Sequence, residues 1–278
     1  MLAMTHIVMQ YKAIIADVDG TLIGPNAQST THASKKVIEA VMKVRKLGVV
    51  FTLASARSLD WVEGLIKSLK LSSPIILDNG ARIYDCAKKK YIFESYLPPN
   101  KVKEVLKVFH KFNSTVYFVD DNNRFTYNPK EHLTFNKVVK IMILHVSPKK
   151  AQQIYQTAVK IYDIKVTKSI SGENPTVESI HVTSKTSTKG KALQFIARYL
   201  NIELSEFIGI GDSYNDLEFI KLCGLKVAMS NATPDLKAIA DYIAPSYKED
   251  GVADVLERYI LKNPKHEIRN PKQYQNSK

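Results

Sequence analysis

Five short apolar runs, with amphipathic stretches between them, decide what this chain can fold into. They are "KAIIA" (12–16), "VVFTLAS" (49–55), "PIIL" (74–77), "EFIGIG" (206–211) and "LKVAMS" (225–230). A strand with one wet face alternates apolar and polar residues, whereas an unbroken apolar run is a strand covered on both faces. Between the first two runs, residues 34–47 place Val37, Ile38, Val41, Val44 and Leu47 at helical spacing, and Gly48 stops the pattern. Residues 59–69 and 189–200, and segments opening at Asp216 and Pro234, read the same way, with a short strand predicted near Tyr242. Strand and helix in alternation predict an α/β fold, a Rossmann-like doubly wound parallel sheet with helices on both faces.

The middle of the chain breaks this rhythm. "ARIYD" and "KYIFES" read as paired strands about a polar turn, followed by a helix marked by Val102, Val105, Leu106 and Phe109. "TVYFVD", "RFTYN" and "KIMILHV" are further strands, residues 149–162 a second helix, and "DIKVTKS" and "TVESIHVT" a last pair. Hairpins mixed with two helices predict an inserted α+β unit with an antiparallel sheet. The expected division is a catalytic core over 1–83 and 185–262, an inserted α+β cap domain over 84–184, and a disordered basic tail over 263–278.

In an open parallel sheet, ligands bind beyond the carboxyl ends of the strands. Four of the runs end there in polar residues: Asp17 and Asp19, Ser55, Asn79, and "GDSYND" with Asp212, Asn215 and Asp216. Lys189 opens the helix before the fourth. Asp-x-Asp alone is a weak signal. Directly after an apolar strand and followed by Gly20 and Thr21 it is a stronger one, because glycine permits the turn the chain must take. Four carboxylates, a hydroxyl and an ammonium at one sheet edge, with no histidine or cysteine, suit a hard, oxygen-loving cation.

Together "DVDGTL", "ASAR", "DNGARIYD", "TKGKAL" and "GIGDSYNDLEF" through "VAMSNATPDLKAIADYIA" resemble the haloacid dehalogenase superfamily, and within it the Cof-type, subclass IIB hydrolases. The resemblance runs in order to about Tyr259 and implies a Mg²⁺-dependent phosphatase of small phosphate monoesters, such as sugar phosphates, working through an aspartyl-phosphate. It implies Asp17 as nucleophile and Asp19 as the acid and base that serves the leaving group. Ser55 and Lys189 would hold phosphoryl oxygens. Asp17, Asp19 through its carbonyl, Asp212 and Asp216 would form the Mg²⁺ site, with Asn215 completing it. Thr21, Asn79 and Asn231 are supporting candidates, although Asn79-Gly80 is also a turn signal. Arg57 and Glu178 are candidate substrate contacts. Asp19 needs a raised pKa, expected from crowding by neighbouring carboxylates, with Thr21 as its local partner. Ser55-Ala56 stands in place of the family's usual threonine-glycine, which keeps the hydroxyl.

Charge leaves alternatives open. A formal net charge of +13 in 278 residues attracts anions, and a nucleic-acid-binding or regulatory protein is one alternative. No nucleic-acid motif or aromatic-basic stripe supports it, so no nucleic-acid partner is expected. A phosphomutase of the phosphomannomutase type is the other. It must grip a second phosphate, usually with arginine forks, yet only Arg124 among sixteen basic residues of 84–184 is arginine. No segment approaches the roughly 18 apolar residues of a membrane span. The N-terminus shows no signal-peptide pattern, and two distant cysteines form no disulfide framework, so a cytoplasmic protein is expected. Monomer and homodimer are both compatible with the sequence.

Overall fold

A computed structural model describes residues 10–24, 32–121, 124–129, 135–170 and 176–262. The predicted tail, 263–278, lies outside them. The chain opens with β1 (Ala13–Ala16), α1 (Lys35–Lys46), β2 (Val50–Leu53), α2 (Glu63–Ser68), β3 (Pro74–Leu77), β4 (Arg82–Asp85) and β5 (Lys90–Glu94). The middle holds α3 (Pro99–Phe109), β6 (Val116–Val119), β7 (Arg124–Thr126), β8 (Lys140–Val146), α4 (Pro148–Ala158), β9 (Ile164–Ile170) and β10 (Glu178–Ser184). The last part holds α5 (Lys189–Leu200), β11 (Phe207–Gly211), α6 (Leu217–Ile220), β12 (Leu225–Met229), α7 (Pro234–Ile239), β13 (Tyr242–Ala244) and α8 (Gly251–Leu256).

The core is a parallel sheet in the order β13-β12-β11-β1-β2. A parallel bridge from Ala54 to Ile76 sets β3 beside β2. Because side chains alternate along a strand, β1 feeds two apolar layers at once. Ile14 and Ala16 pack with Val37, Val41 and Val44 of α1 and with α8, while Ala13 and Ile15 pack with Leu193 and Ile196 of α5 and with Phe219. All four residues of β1 are fully buried, which is why its sequence shows no alternation. The Ser34 side chain caps α1 by accepting from Val37 N–H, and Lys43, Arg45 and Lys46 in its last turn complement the helix dipole.

The second sheet, in the order β7-β6-β8-β10-β9, is antiparallel throughout. Its outer face buries Phe118, Ile141, Ile143, Ile180 and Val182 against Val105 and Phe109 of α3 and Ile154 of α4. This is the cap. One sequence-based expectation is corrected: "ARIYD" and "KYIFES" do not belong to this sheet. They are β4 and β5, paired with β3 in a three-stranded antiparallel sheet that continues the core edge. Position 84 therefore falls inside a core-side strand. The two chain passages between core and cap touch where the Ser95 and Thr186 hydroxyls lie 3.2 Å apart.

Candidate active site

β1 is the strand at which the sheet order reverses, with β2 on one side and β11 on the other. At such a point the departing connections diverge to opposite faces and leave a crevice beyond the strand ends. Asp17 leaves β1 into it, and Asp212 leaves β11. The Asp17 N–H still donates to Ile210 O at 2.9 Å, so the sheet ladder itself fixes its backbone. After Asp17 the chain folds back within five residues, as Leu22 and Ile23 N–H both donate to Val18 O. Gly20 has φ +79°, and a Cβ on it would lie 2.3 Å from Asp212 Oδ2. Only glycine serves both demands.

The centre of the site is one buried ammonium shared by two carboxylates. Lys189 Nζ is 2.6 Å from Asp17 Oδ1 and 2.7 Å from Asp216 Oδ1. Lys189 opens α5, whose cap Thr188 accepts from Lys191 N–H. The other Asp216 oxygen, Oδ2, accepts from the N–H groups of Asp212 and Ser213 at 3.0 and 2.9 Å. Asp216 thus orients Lys189 and braces the turn after β11. Oxygens of Asp17, Asp212 and Asp216 lie within 4.8 Å of one another.

Charge and burial set the protonation states. Burial, then the Asp216 charge, pushes Asp17 up to about 7 against the pull of Lys189. Asp212 is raised well above the carboxylate range by burial first, then by the Asp17 and Asp216 charges. Burial works to lower Lys189, but its two carboxylates outweigh that and raise it, so it stays charged. Several buried carboxylates facing one ammonium leave net negative charge, and the donors are all oxygen. The cluster fits a hard divalent cation.

Asp19 lies outside that cluster. Arg57 grips its carboxylate as a fork, Nε to Oδ2 at 2.9 Å and Nη2 to Oδ1 at 2.6 Å. Burial raises the Asp19 pKa most, and the Arg57 hydrogen bond and charge oppose it. Crowding by carboxylates is a lesser cause, contrary to the expectation from sequence. Thr21 is not its partner either; its hydroxyl donates to Asp212 Oδ1 at 3.0 Å.

The remaining candidates fall around this centre. Ser55 is fully buried, and its Oγ accepts from Arg57 N–H at 3.0 Å. Asn79, at φ 56°, accepts from Asn215 Nδ2 at 3.0 Å, while its own buried Nδ2 has no hydrogen-bond partner among the described residues. Asn231 donates to Gly20 O at 2.9 Å and so holds the turn after Asp19. A cavity of about 270 Å³ lies between core and cap, lined by Asn79, Lys189, Asn215, Tyr155, Lys165 and Lys168. Glu178, on β10, is 3.5 Å from Lys168 Nζ, a residue of the cavity lining. Sequence reasoning missed Lys168 and a buried pair, Lys140 and Asp78, that joins cap to core. A lysine heading the apolar run "KIMILHV" was the available signal for Lys140.

A parallel α/β core with a carboxylate–lysine crevice at its switch point, roofed by an inserted α+β cap, defines a class of phosphoryl-transfer enzymes. Residues 14–256 match the profile of the haloacid dehalogenase-like hydrolases. The chain is 32% identical over 254 residues to a phosphoglycolate phosphatase of Staphylothermus marinus, covering 89% of this chain and 97% of the relative. It is 28% identical over 250 residues to 5-amino-6-(5-phospho-D-ribitylamino)uracil phosphatase of Bacillus subtilis, covering 90% and 96%. Among solved structures, a haloacid dehalogenase-like hydrolase from Bacteroides thetaiotaomicron superposes with TM-score 0.72 at 25% identity, covering 89% and 99%. A subclass IIB sugar phosphatase shares the fold with TM-score 0.72 at 23% identity, covering 89% and 98%. The chain belongs to the haloacid dehalogenase-like hydrolases, and its enzyme class is phosphoric monoester hydrolase. Among the described residues, no helix is long and apolar enough to cross a membrane.

Proposed function

We propose that this protein hydrolyses small phosphate monoesters with Mg²⁺, using Asp17 as nucleophile. The observation that carries the reading is the buried Asp17–Lys189–Asp216 arrangement at the sheet's switch point. An ionised carboxylate needs no base to become a nucleophile, but it must approach an anionic phosphate. Lys189 and a bound cation meet that need, and Mg²⁺ would be held by Asp17, Asp212 and the Asp19 carbonyl, with Asp216 and Asn215 supporting. Bound there, it would neutralise charge on the phosphoryl oxygens.

Asp17 attacks phosphorus, the bond to the leaving oxygen breaks, and Asp19 delivers its proton to that oxygen. Water then attacks the aspartyl-phosphate as Asp19 takes its proton, which frees phosphate and restores the Asp17 carboxylate. Lys189, Ser55 and the Asn79 Nδ2, which has no hydrogen-bond partner among the described residues, would meet phosphoryl oxygens. Arg57 serves as the holder of Asp19 rather than as a substrate contact. The modest cavity favours a small alcohol portion such as a sugar or hydroxy acid, and the named relatives act on small phosphate esters. A mutase reading is disfavoured because Arg124, the one arginine among the basic residues of 84–184, packs over the Trp61 and Tyr117 rings at 5.5 and 5.4 Å, whereas gripping a second phosphate usually takes arginine forks. Free Cys86 and Cys223 suit a reducing cytoplasm.

The direct test is phosphate release from an aryl phosphate, then from a panel of phosphorylated metabolites. Wild-type protein with Mg²⁺ should turn over, and Asp17→Asn or chelation should abolish it. Full activity in that variant, or indifference to EDTA, would overturn the reading.

A further inference from the structure

Lys140 heads β8 of the cap, yet its ammonium is buried in the core. Its residue is 2% exposed, and Nζ lies 2.8 Å from Asp78 Oδ1 and 2.7 Å from Ala56 O. Burying a lysine without partners is costly, so these two contacts must be made together for the cap to seat.

Both acceptors belong to the machinery around Asp19. Ala56 stands between Ser55 and Arg57, the residue that forks the Asp19 carboxylate. Asp78 takes a second hydrogen bond from the Ser58 hydroxyl at 2.6 Å. Its N–H donates to Arg57 O, and Asn79 N–H donates to Ser55 O, both at 3.0 Å. Asp78 and Asn79 are consecutive non-glycine residues at φ 51° and 56°. Such backbone is strained and persists only where surrounding contacts hold it. The loop 55–58 and the turn 78–79 therefore brace each other, and the cap's ammonium closes the brace from outside.

We propose that Lys140 is a positioning residue: it fixes the loop that carries Ser55 and Arg57, and through Arg57 the Asp19 carboxylate, only when the cap is seated. The inference rests on the phosphatase reading above, since it concerns the same site. Small displacements of a positioned catalytic group cost on the order of a hundredfold in rate. The effect belongs in kcat, because Lys140 contacts neither the cavity lining nor the carboxylate cluster.

The experiment compares wild type, Lys140→Met and Lys140→Gln in full-length protein with an aryl phosphate and Mg²⁺. It also records emission from Trp61, the single tryptophan, whose ring lies 6.0 Å from Arg57 and whose carbonyl accepts from that residue at 3.2 Å. Lys140→Met should lose roughly ten- to a hundredfold in kcat with KM changed less than about threefold, and should shift Trp61 emission. Lys140→Gln keeps a neutral amide NH₂ as donor for Ala56 O or Asp78, and its kcat should fall between the two. Unchanged kcat in a folded Lys140→Met overturns the proposal, as does a loss carried by KM alone. If Lys140→Met does not fold, the Gln variant decides: wild-type kcat there overturns it. An inactive wild type would sink the phosphatase reading instead, while unshifted Trp61 emission in the variants would separately show that Lys140 does not set this loop.

Discussion

Two opposed forces act on Asp19: burial favours the protonated carboxyl and the Arg57 fork favours the carboxylate. Because Asp19 is to give a proton and later take one, neither force can dominate without loss of one half of the cycle. Removing the guanidinium leaves burial opposed only by the smaller pull of the Lys189 charge and raises the Asp19 pKa further. Arg57→Met should therefore move the alkaline limb of the pH–rate profile to higher pH, since activity there falls as the acid loses its proton. Loss of orientation should lower kcat by roughly ten- to a hundredfold at neutral pH. A profile superimposable on wild type would show that the fork has no part in the proton transfers. Asp17 differs in kind: its proton is raised to about 7 chiefly by burial, and it must be shed before attack.

At the scale of elements, the turn from β11 into α6 is closely packed against the site. A Cβ on Gly211 would lie 2.7 Å from Asp216 Oδ2, the oxygen that accepts from Asp212 and Ser213 N–H. Gly211→Ala should push Asp216 off Lys189, costing about 1–3 kcal/mol of stability and much of the activity. Chemical denaturation and phosphate release measure the two effects, and an unperturbed variant would show that the turn has slack. This turn was legible in the sequence because "FIGIG" is an unbroken apolar run that halts at Gly-Asp. Asp17, Lys189, Asp212 and Asp216 were placed together for the same local reason, each standing at a strand end or helix start. The β4–β5 hairpin was legible, but its pairing with β3 at the core edge was not. A hairpin's pattern of apolar residues is the same whichever sheet it joins, and long-range contacts choose the edge. Lys140 was hidden likewise, since its acceptors lie 62 and 84 residues away. Arg57 was read as a candidate substrate contact; its hold on Asp19 depends on a crossing from β2 back to β1 that no periodicity records.

For the whole molecule, the proposed cation site is coupled to folding stability through protons. Asp17, Asp19 and Asp212 have raised native pKa values, so between their ordinary value of 3.8 and the raised one near 7 of Asp17 the native state binds more protons than the unfolded chain. The contribution of these three groups to the stability of the metal-free protein therefore falls as pH rises through that window. His181 acts oppositely: burial, then the Lys140 charge, lowers it from 6.5 to about 3, so between those values only the unfolded chain takes its proton. Its contribution therefore makes stability rise with pH up to 6.5 and then level off. Above that point the carboxylates alone remain, repelling one another around a single lysine. A divalent cation binding there competes with protons and stabilises by mass action, about 2.7 kcal/mol at a hundredfold excess over its dissociation constant. Mg²⁺ should therefore raise the melting temperature of the chelated protein by several degrees at about pH 8 and by much less at about pH 5.5. Asp212→Asn should raise the metal-free melting temperature at the higher pH and blunt the response to Mg²⁺. Scanning calorimetry at both pH values reads this without any substrate, and an equal Mg²⁺ effect in wild type and variant would place the cation elsewhere.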